Sequence, residues 1–157
     1  MHSEAYFTSE HNYLSYLGGP IPTVLVAEDS EDTRHLLSLE LRHRGCHVIT
    51  AADGREAVEA ALLAHPDIIL MDLNLPRMDG LAAAERIRAH GELDAVPIIA
   101  VTAFDTYGIR EAALEAGCQA YLLKPLEPGA LERALRNALP GFVFEDGGAH
   151  KASYGRE

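Results

Sequence analysis

The apolar residues of this chain come in five short blocks. They are Thr23-Val24-Leu25-Val26-Ala27, His47-Val48-Ile49-Thr50, Ile68-Ile69-Leu70-Met71, Pro97-Ile98-Ile99-Ala100-Val101 and Ala120-Tyr121-Leu122-Leu123. A short continuous apolar run without polar alternation reads as a strand buried on both faces. Helix signals follow each block. Ser30 or Asp32 caps a helix to about Arg44, which Gly45 stops. Asp53, with Glu56 three residues on as in a capping box, starts a second helix to about Ala64. Asp79 starts a third that ends near Gly91. A fourth covers roughly Thr106 to Ala116, closed by Gly117. Pro128, at a helix's first position, opens a fifth to about Leu139. Five strand–helix alternations predict an α/β fold, a doubly wound five-stranded parallel sheet with helices on both faces.

Outside these units lie an N-terminal extension, residues 1–22, and a C-terminal tail, residues 140–157. Tyr6, Phe7, Tyr13, Leu14 and Leu17 share one helical face, and Gly18-Gly19-Pro20 would end that helix. The extension is either a frayed tail or a helix that docks on a partner or forms a homodimer. Seven of the ten aromatic residues fall outside the five units, Phe142 and Phe144 among them. That placement predicts that one or both extensions pack on something.

The 157 residues make one domain with extensions, and 48% hydrophobic content fills a real core. A formal net charge of −11 argues against nucleic acid or an anionic membrane as a direct partner. Two cysteines, Cys46 and Cys118, give no metal spacing and no disulfide framework. No basic, then apolar, leader opens the chain, and no apolar run reaches the ~18 residues of a membrane span. A cytoplasmic protein is expected.

The chemistry sits where the blocks end. The first strand runs into Glu28-Asp29, the third into Asp72, the fourth into Thr102 and the fifth into Lys124. Open α/β sheets collect their chemistry outside the carboxyl ends of the strands. A single strand-end aspartate is usually a turn former or cap, and a lone lysine is usually a solvated charge. Four strand ends carrying these types together are far more specific. Carboxylates a few ångströms apart repel by ~4 kcal/mol per pair at an effective dielectric near 20. They relax by protonation or by binding a cation, and an acidic all-oxygen site suits Mg²⁺. An aspartate can also act as a nucleophile toward phosphorus, and an ammonium can neutralise phosphoryl oxygens.

Residues 23–139 resemble the receiver domain of two-component response regulators, the family of the single-domain chemotaxis regulator. The resemblance is carried by Val26-Ala27-Glu28-Asp29-Ser30, by Met71-Asp72-Leu73-Asn74-Leu75-Pro76-Arg77-Met78-Asp79-Gly80, by Val101-Thr102-Ala103 and by Lys124-Pro125. It implies a flavodoxin-like (βα)5 fold with strand order 2-1-3-4-5. It implies Asp72 as phosphoacceptor and Mg²⁺ held by Asp29, by Glu28 through water, by Asp72 and by the backbone carbonyl of Asn74. Thr102 would move toward the phosphoryl group and Lys124 would pair with it, with the Lys124–Pro125 bond cis. Tyr121 matches the aromatic switch position, whose competing reading is ordinary strand packing. Asn74 and Phe104 match positions that tune the phosphate's lifetime. Glu28 stands where aspartate is commoner and Leu75 where methionine is common. Neither change removes a chemical function. With that strand order Cys46 and Cys118 lie toward opposite edges and should be free thiols.

The function so implied is a single-domain response regulator. A partner histidine kinase or histidine phosphotransfer protein would supply the phosphoryl group. Asp72 would then either relay it onward or switch binding to a downstream protein target. The 18 residues after 139 are too few for a helix-turn-helix unit. The alternative is a phosphate-independent pseudo-receiver interaction module. An aspartate-nucleophile phosphatase is a third class. It would need its nucleophile, and an acid two residues later, at the end of the first strand.

Overall fold

The computed structural model describes residues 21–103 and 105–144. The expected helix in the N-terminal extension, and Phe104, lie outside them. The described strands are β1 (Thr23–Ala27), β2 (His47–Ala51), β3 (Ile68–Asp72), β4 (Ile98–Thr102) and β5 (Ala120–Leu123). The helices are α1 (Glu31–His43), α2 (Gly54–Ala64), α3 (Gly80–Ala89), α4 (Ile109–Glu115) and α5 (Ala130–Ala138), with a 3₁₀ turn at Gly91–Leu93. All strand pairs are parallel and the order is β2-β1-β3-β4-β5, as expected.

The continuous apolar runs are explained by the period of a strand, which sends successive side chains to opposite faces. Val24, Val26, Ile68, Leu70, Ile99 and Val101 point to one core, with Leu37 and Leu41 of α1 and Leu131 and Leu135 of α5. Leu25, Ala27, Ile69, Met71, Ile98 and Ala100 point to the other. That second core is closed by the small residues Ala57 and Ala61 of α2, Ala83 and Ala84 of α3 and Ala113 of α4. Cys46 and Cys118 are buried free thiols. Among the described residues no helix is long and apolar enough to cross a membrane.

The first three helices start as the sequence predicts. Ser30 accepts from the Thr33 N–H at 3.3 Å, Asp53 from Glu56 at 2.8 Å and Asp79 from Ala82 at 2.8 Å. Glu56 reaches back to the Ala52 N–H at 3.3 Å, one residue beyond the Asp53 N–H that the reciprocal bond of a capping box would use.

The last two helices start later than expected. α4 begins at Ile109 rather than Thr106, and Pro128 is not the first residue of α5, which begins at Ala130. One device explains both. Thr106–Ile109 and Glu127–Ala130 are closed turns, with Ile109 N–H to the Thr106 carbonyl at 3.2 Å and Ala130 N–H to Glu127 at 3.0 Å. Gly108 (φ +86°) and Gly129 (φ +80°) take the third position, the type II signature. Pro128 therefore serves as a turn's second residue, and neither helix has a side-chain cap.

The C-terminal tail does not leave the domain at residue 140. Phe144 is 3% exposed in the core shared with Leu41, Cys46 and Leu139, and Phe142 packs beside it. Two of the tail's aromatics, Phe142 and Phe144, thus pack on the domain itself.

Candidate functional site

β3 is the central strand, so its last residue sits in the middle of the sheet's carboxyl edge. That residue is Asp72, 6% exposed. β1 lies to one side and delivers Glu28, 3% exposed, and the exposed Asp29. β4 lies on the other side and ends in the fully buried Thr102. One carboxylate oxygen from each of Glu28, Asp29 and Asp72 lies within 4.8 Å of the others.

Lys124 reaches over from the end of β5. Its Nζ donates to Glu28 Oε2 at 2.6 Å and to Asp72 Oδ2 at 3.0 Å. Its backbone N–H is held by the Thr102 carbonyl at 2.8 Å, and the Lys124–Pro125 bond is cis. Burial disfavours the ammonium, yet its bonds to Glu28 and Asp72, and their charge, win and raise its pKa. Glu28 is raised by burial first and by the Asp72 carboxyl next, with Lys124 opposing both. Three carboxylates around one ammonium is a site short of positive charge.

The remaining oxygens are held by backbone. Asp72 Oδ1 accepts the Asn74 N–H at 2.9 Å, and Glu28 Oε1 accepts the Ser30 N–H at 3.3 Å. Arg34 of α1 donates to the Glu28 carbonyl at 2.9 Å. The donor set fits Mg²⁺. All three side-chain donors are hard carboxylate oxygens, the kind that Mg²⁺ takes. One oxygen from each already lies within 4.8 Å of the others. The exposed Asp29 leaves room for the waters that Mg²⁺ keeps.

The structure thus brings Glu28, Asp29, Asp72, Asn74, Thr102 and Lys124 to one edge. Tyr121 lies three residues before Lys124. It is half-buried on β5, opposite Ala100, with the Arg110 guanidinium 5.9 Å from its ring centroid. Its phenol is raised by partial burial and by the charge of Asp105.

Residues 24–136 match the response regulator receiver domain family. The chain belongs to this family. The receiver is 38% identical over 104 residues to the polar-differentiation response regulator DivK of Brucella ovis, covering 66% of this chain and 85% of DivK. It is 40% identical over 120 residues to the transcriptional regulatory protein PdtaR of Mycobacterium tuberculosis, covering 76% of this chain and 57% of PdtaR. The chain spans about half the length of the transcriptional regulators it matches, 47% of one and 57% of another. Among solved structures it resembles the receiver domain of the sensor histidine kinase PA1611 from Pseudomonas aeruginosa. The TM-score is 0.72 and identity 38%, over 76% of this chain and 98% of that one. That structure holds a magnesium ion in its active-site cleft.

Sequence reasoning missed two supports of the site. Gly80 has no Cβ because one would overlap the Asp72 carbonyl oxygen. Asp53 was legible as a helix cap, but it also faces Arg77 at 3.5 Å. The Asp79-Gly80 pair after an acidic strand end was the available signal for the first. The second is a contact across 24 residues of chain and leaves no local trace.

Proposed function

We propose that this receiver takes a phosphoryl group from a partner phosphohistidine onto Asp72 in a Mg²⁺-dependent step. The observation that carries the reading is the meeting of the Glu28, Asp29 and Asp72 oxygens, with Lys124 bridging two of them. An Asp72 carboxylate oxygen attacks phosphorus as the phosphorus–nitrogen bond to the donor imidazole breaks. The leaving nitrogen keeps the bonding pair, and an acyl phosphate remains on Asp72. Bound Mg²⁺ supplies charge neutralisation for the phosphoryl oxygens.

This chain's own residues do the rest. Asn74 N–H fixes Asp72 Oδ1, which leaves Oδ2, the oxygen Lys124 holds, to face the donor. Lys124 then pairs with a phosphoryl oxygen while Glu28 retains its other contact. The Thr102 hydroxyl, next to Asp72 on the neighbouring strand, hydrogen-bonds the new group. The partner is a histidine kinase or a histidine phosphotransfer protein. The modified domain either passes the group to a second histidine or binds a downstream target.

The test is intact mass after incubation with a small acyl phosphate or phosphoramidate, with and without Mg²⁺, on wild type and Asp72→Ala. One added phosphate that needs Mg²⁺ and vanishes in the variant is expected. No adduct from either donor, nor from a phosphorylated histidine protein, would return the chain to a phosphate-independent interaction module.

A further inference from the structure

The loop from β3 to α3 stores backbone strain next to Asp72. The Met78 N–H returns to the Pro76 carbonyl at 2.7 Å, closing a three-residue γ-turn around Arg77 at φ +66°. With positive φ at its centre, this is the rare and strained form of that turn. Such conformations persist only where surrounding structure over-determines them, and they gather at functional sites.

Here the N-terminus of α2 supplies the constraint. Asp53 is 8% exposed and uses its two oxygens separately. Oδ1 caps α2 through the Glu56 N–H, while Oδ2 faces the Arg77 guanidinium. The next residue, Gly54, lies so close to the Met78 carbonyl oxygen that a Cβ would overlap it. Two successive residues of α2's start therefore grip two successive residues of the loop. Three residues upstream of Arg77, the same loop holds Asp72 Oδ1 through the Asn74 N–H.

We propose that Asp53 and Arg77 are positioning residues for the metal site. Their ion pair holds the γ-turn, and through it the Asn74 peptide, in the geometry that Mg²⁺ requires. The proposal rests on the phosphoryl-switch reading above. Its rival is a surface ion pair with no effect beyond its own field. The Arg77 side chain is 74% exposed, and exposed pairs contribute little to stability. The two accounts differ in sign. By charge alone, losing Arg77 tightens Mg²⁺ and losing Asp53 weakens it. By positioning, either loss weakens it.

The experiment is calorimetric titration of Mg²⁺ into wild type, Asp53→Asn, Arg77→Gln, the double variant and Arg77→Lys, with a urea midpoint for each. Asparagine keeps the cap of α2 while removing the charge. Each single variant is expected to weaken Mg²⁺ by about threefold, in keeping with an exposed pair. The double variant should be no weaker than either, Arg77→Lys should stay close to wild type, and the urea midpoints should hardly move. Tightening in Arg77→Gln, or affinities that do not change, would overturn the proposal. A wild type that takes up no Mg²⁺ would overturn the underlying reading, and this inference with it.

Discussion

Replacing Gly80 by alanine is the most direct test of how closely the backbone is packed around Asp72. Gly80 opens α3, where alanine is intrinsically the better residue by up to about 1 kcal/mol. The structure reverses that preference. A Cβ at Gly80 would overlap the Asp72 carbonyl oxygen and stand 2.7 Å from Leu73 Cα, against an ordinary contact of 3.4 Å or more. The shortfall to Leu73 alone is about 0.7 Å, and both neighbours are main chain that cannot rotate away. Overpacking of this kind costs about 1–3 kcal/mol, and rigid backbone on both sides argues for the upper end. Less the helix preference, Gly80→Ala should lose about 2 kcal/mol. Gly91 is the control, because a Cβ there meets nothing within 4 Å. Gly91→Ala should be neutral or gain up to about 1 kcal/mol. Urea unfolding of both variants decides the matter. If Gly80→Ala is as stable as Gly91→Ala, the loop is soft and the close packing described at Asp72 is wrong.

Other outcomes follow from burial. Glu28 has a raised pKa, so the folded protein holds that proton more tightly than the unfolded chain and ionised Glu28 costs stability above its ordinary range. In Mg²⁺-free buffer Glu28→Gln should therefore be stabilising at pH 7, with the gain fading as the pH falls from the raised value toward the ordinary one near about 4.3, below which both states hold the proton; a destabilised variant at pH 7 refutes this. Burial pushes the Cys46 and Cys118 thiols up to about 11, against the pull of Arg44 and Arg88. An unfolded thiol releases its proton near about 8.5, so each should cost about 1 kcal/mol of stability per pH unit from there to pH 11. Alanine at both positions should flatten that slope, and equal slopes would sink the idea. Phe144→Ala should lose about 3 kcal/mol, the low end for a buried ring, since a chain-end segment can shift to fill space. A loss under about 1 kcal/mol in urea unfolding would mean that the tail does not pack as described.

The sheet and the chemical edge were legible because one pattern encodes both. Four of the five apolar runs end in residues whose type fits the site, so locating the strands also locates Glu28, Asp29, Asp72, Thr102 and Lys124. Helix starts were legible where a side chain marks them, at Ser30, Asp53 and Asp79. They were misread where glycine turns mark them instead, because Pro128 satisfies the rules for a helix's first residue and for a type II turn alike. The fold-back of Phe144 was half legible. Excess aromatics announced that something packs, but nothing local says on what. The Asp53–Arg77 contact depends on how α2 meets the β3–α3 loop, which only the assembled chain defines.

The uneven capping of the helices has a consequence for hydrogen exchange. α1, α2 and α3 each tie an N-terminal amide to a side chain, an arrangement that contributes about 1 kcal/mol per helix. α4 and α5, the helices that follow β4 with its Thr102 and β5 with Lys124 just past its end, begin with no such tie. Their first turns can open several times more often, without unfolding the rest. Amides at the starts of α4 and α5 should exchange with solvent sooner than their counterparts in the first three helices. The site thus joins a stiff half, which holds the acids, to a compliant half, which holds the hydroxyl and the ammonium.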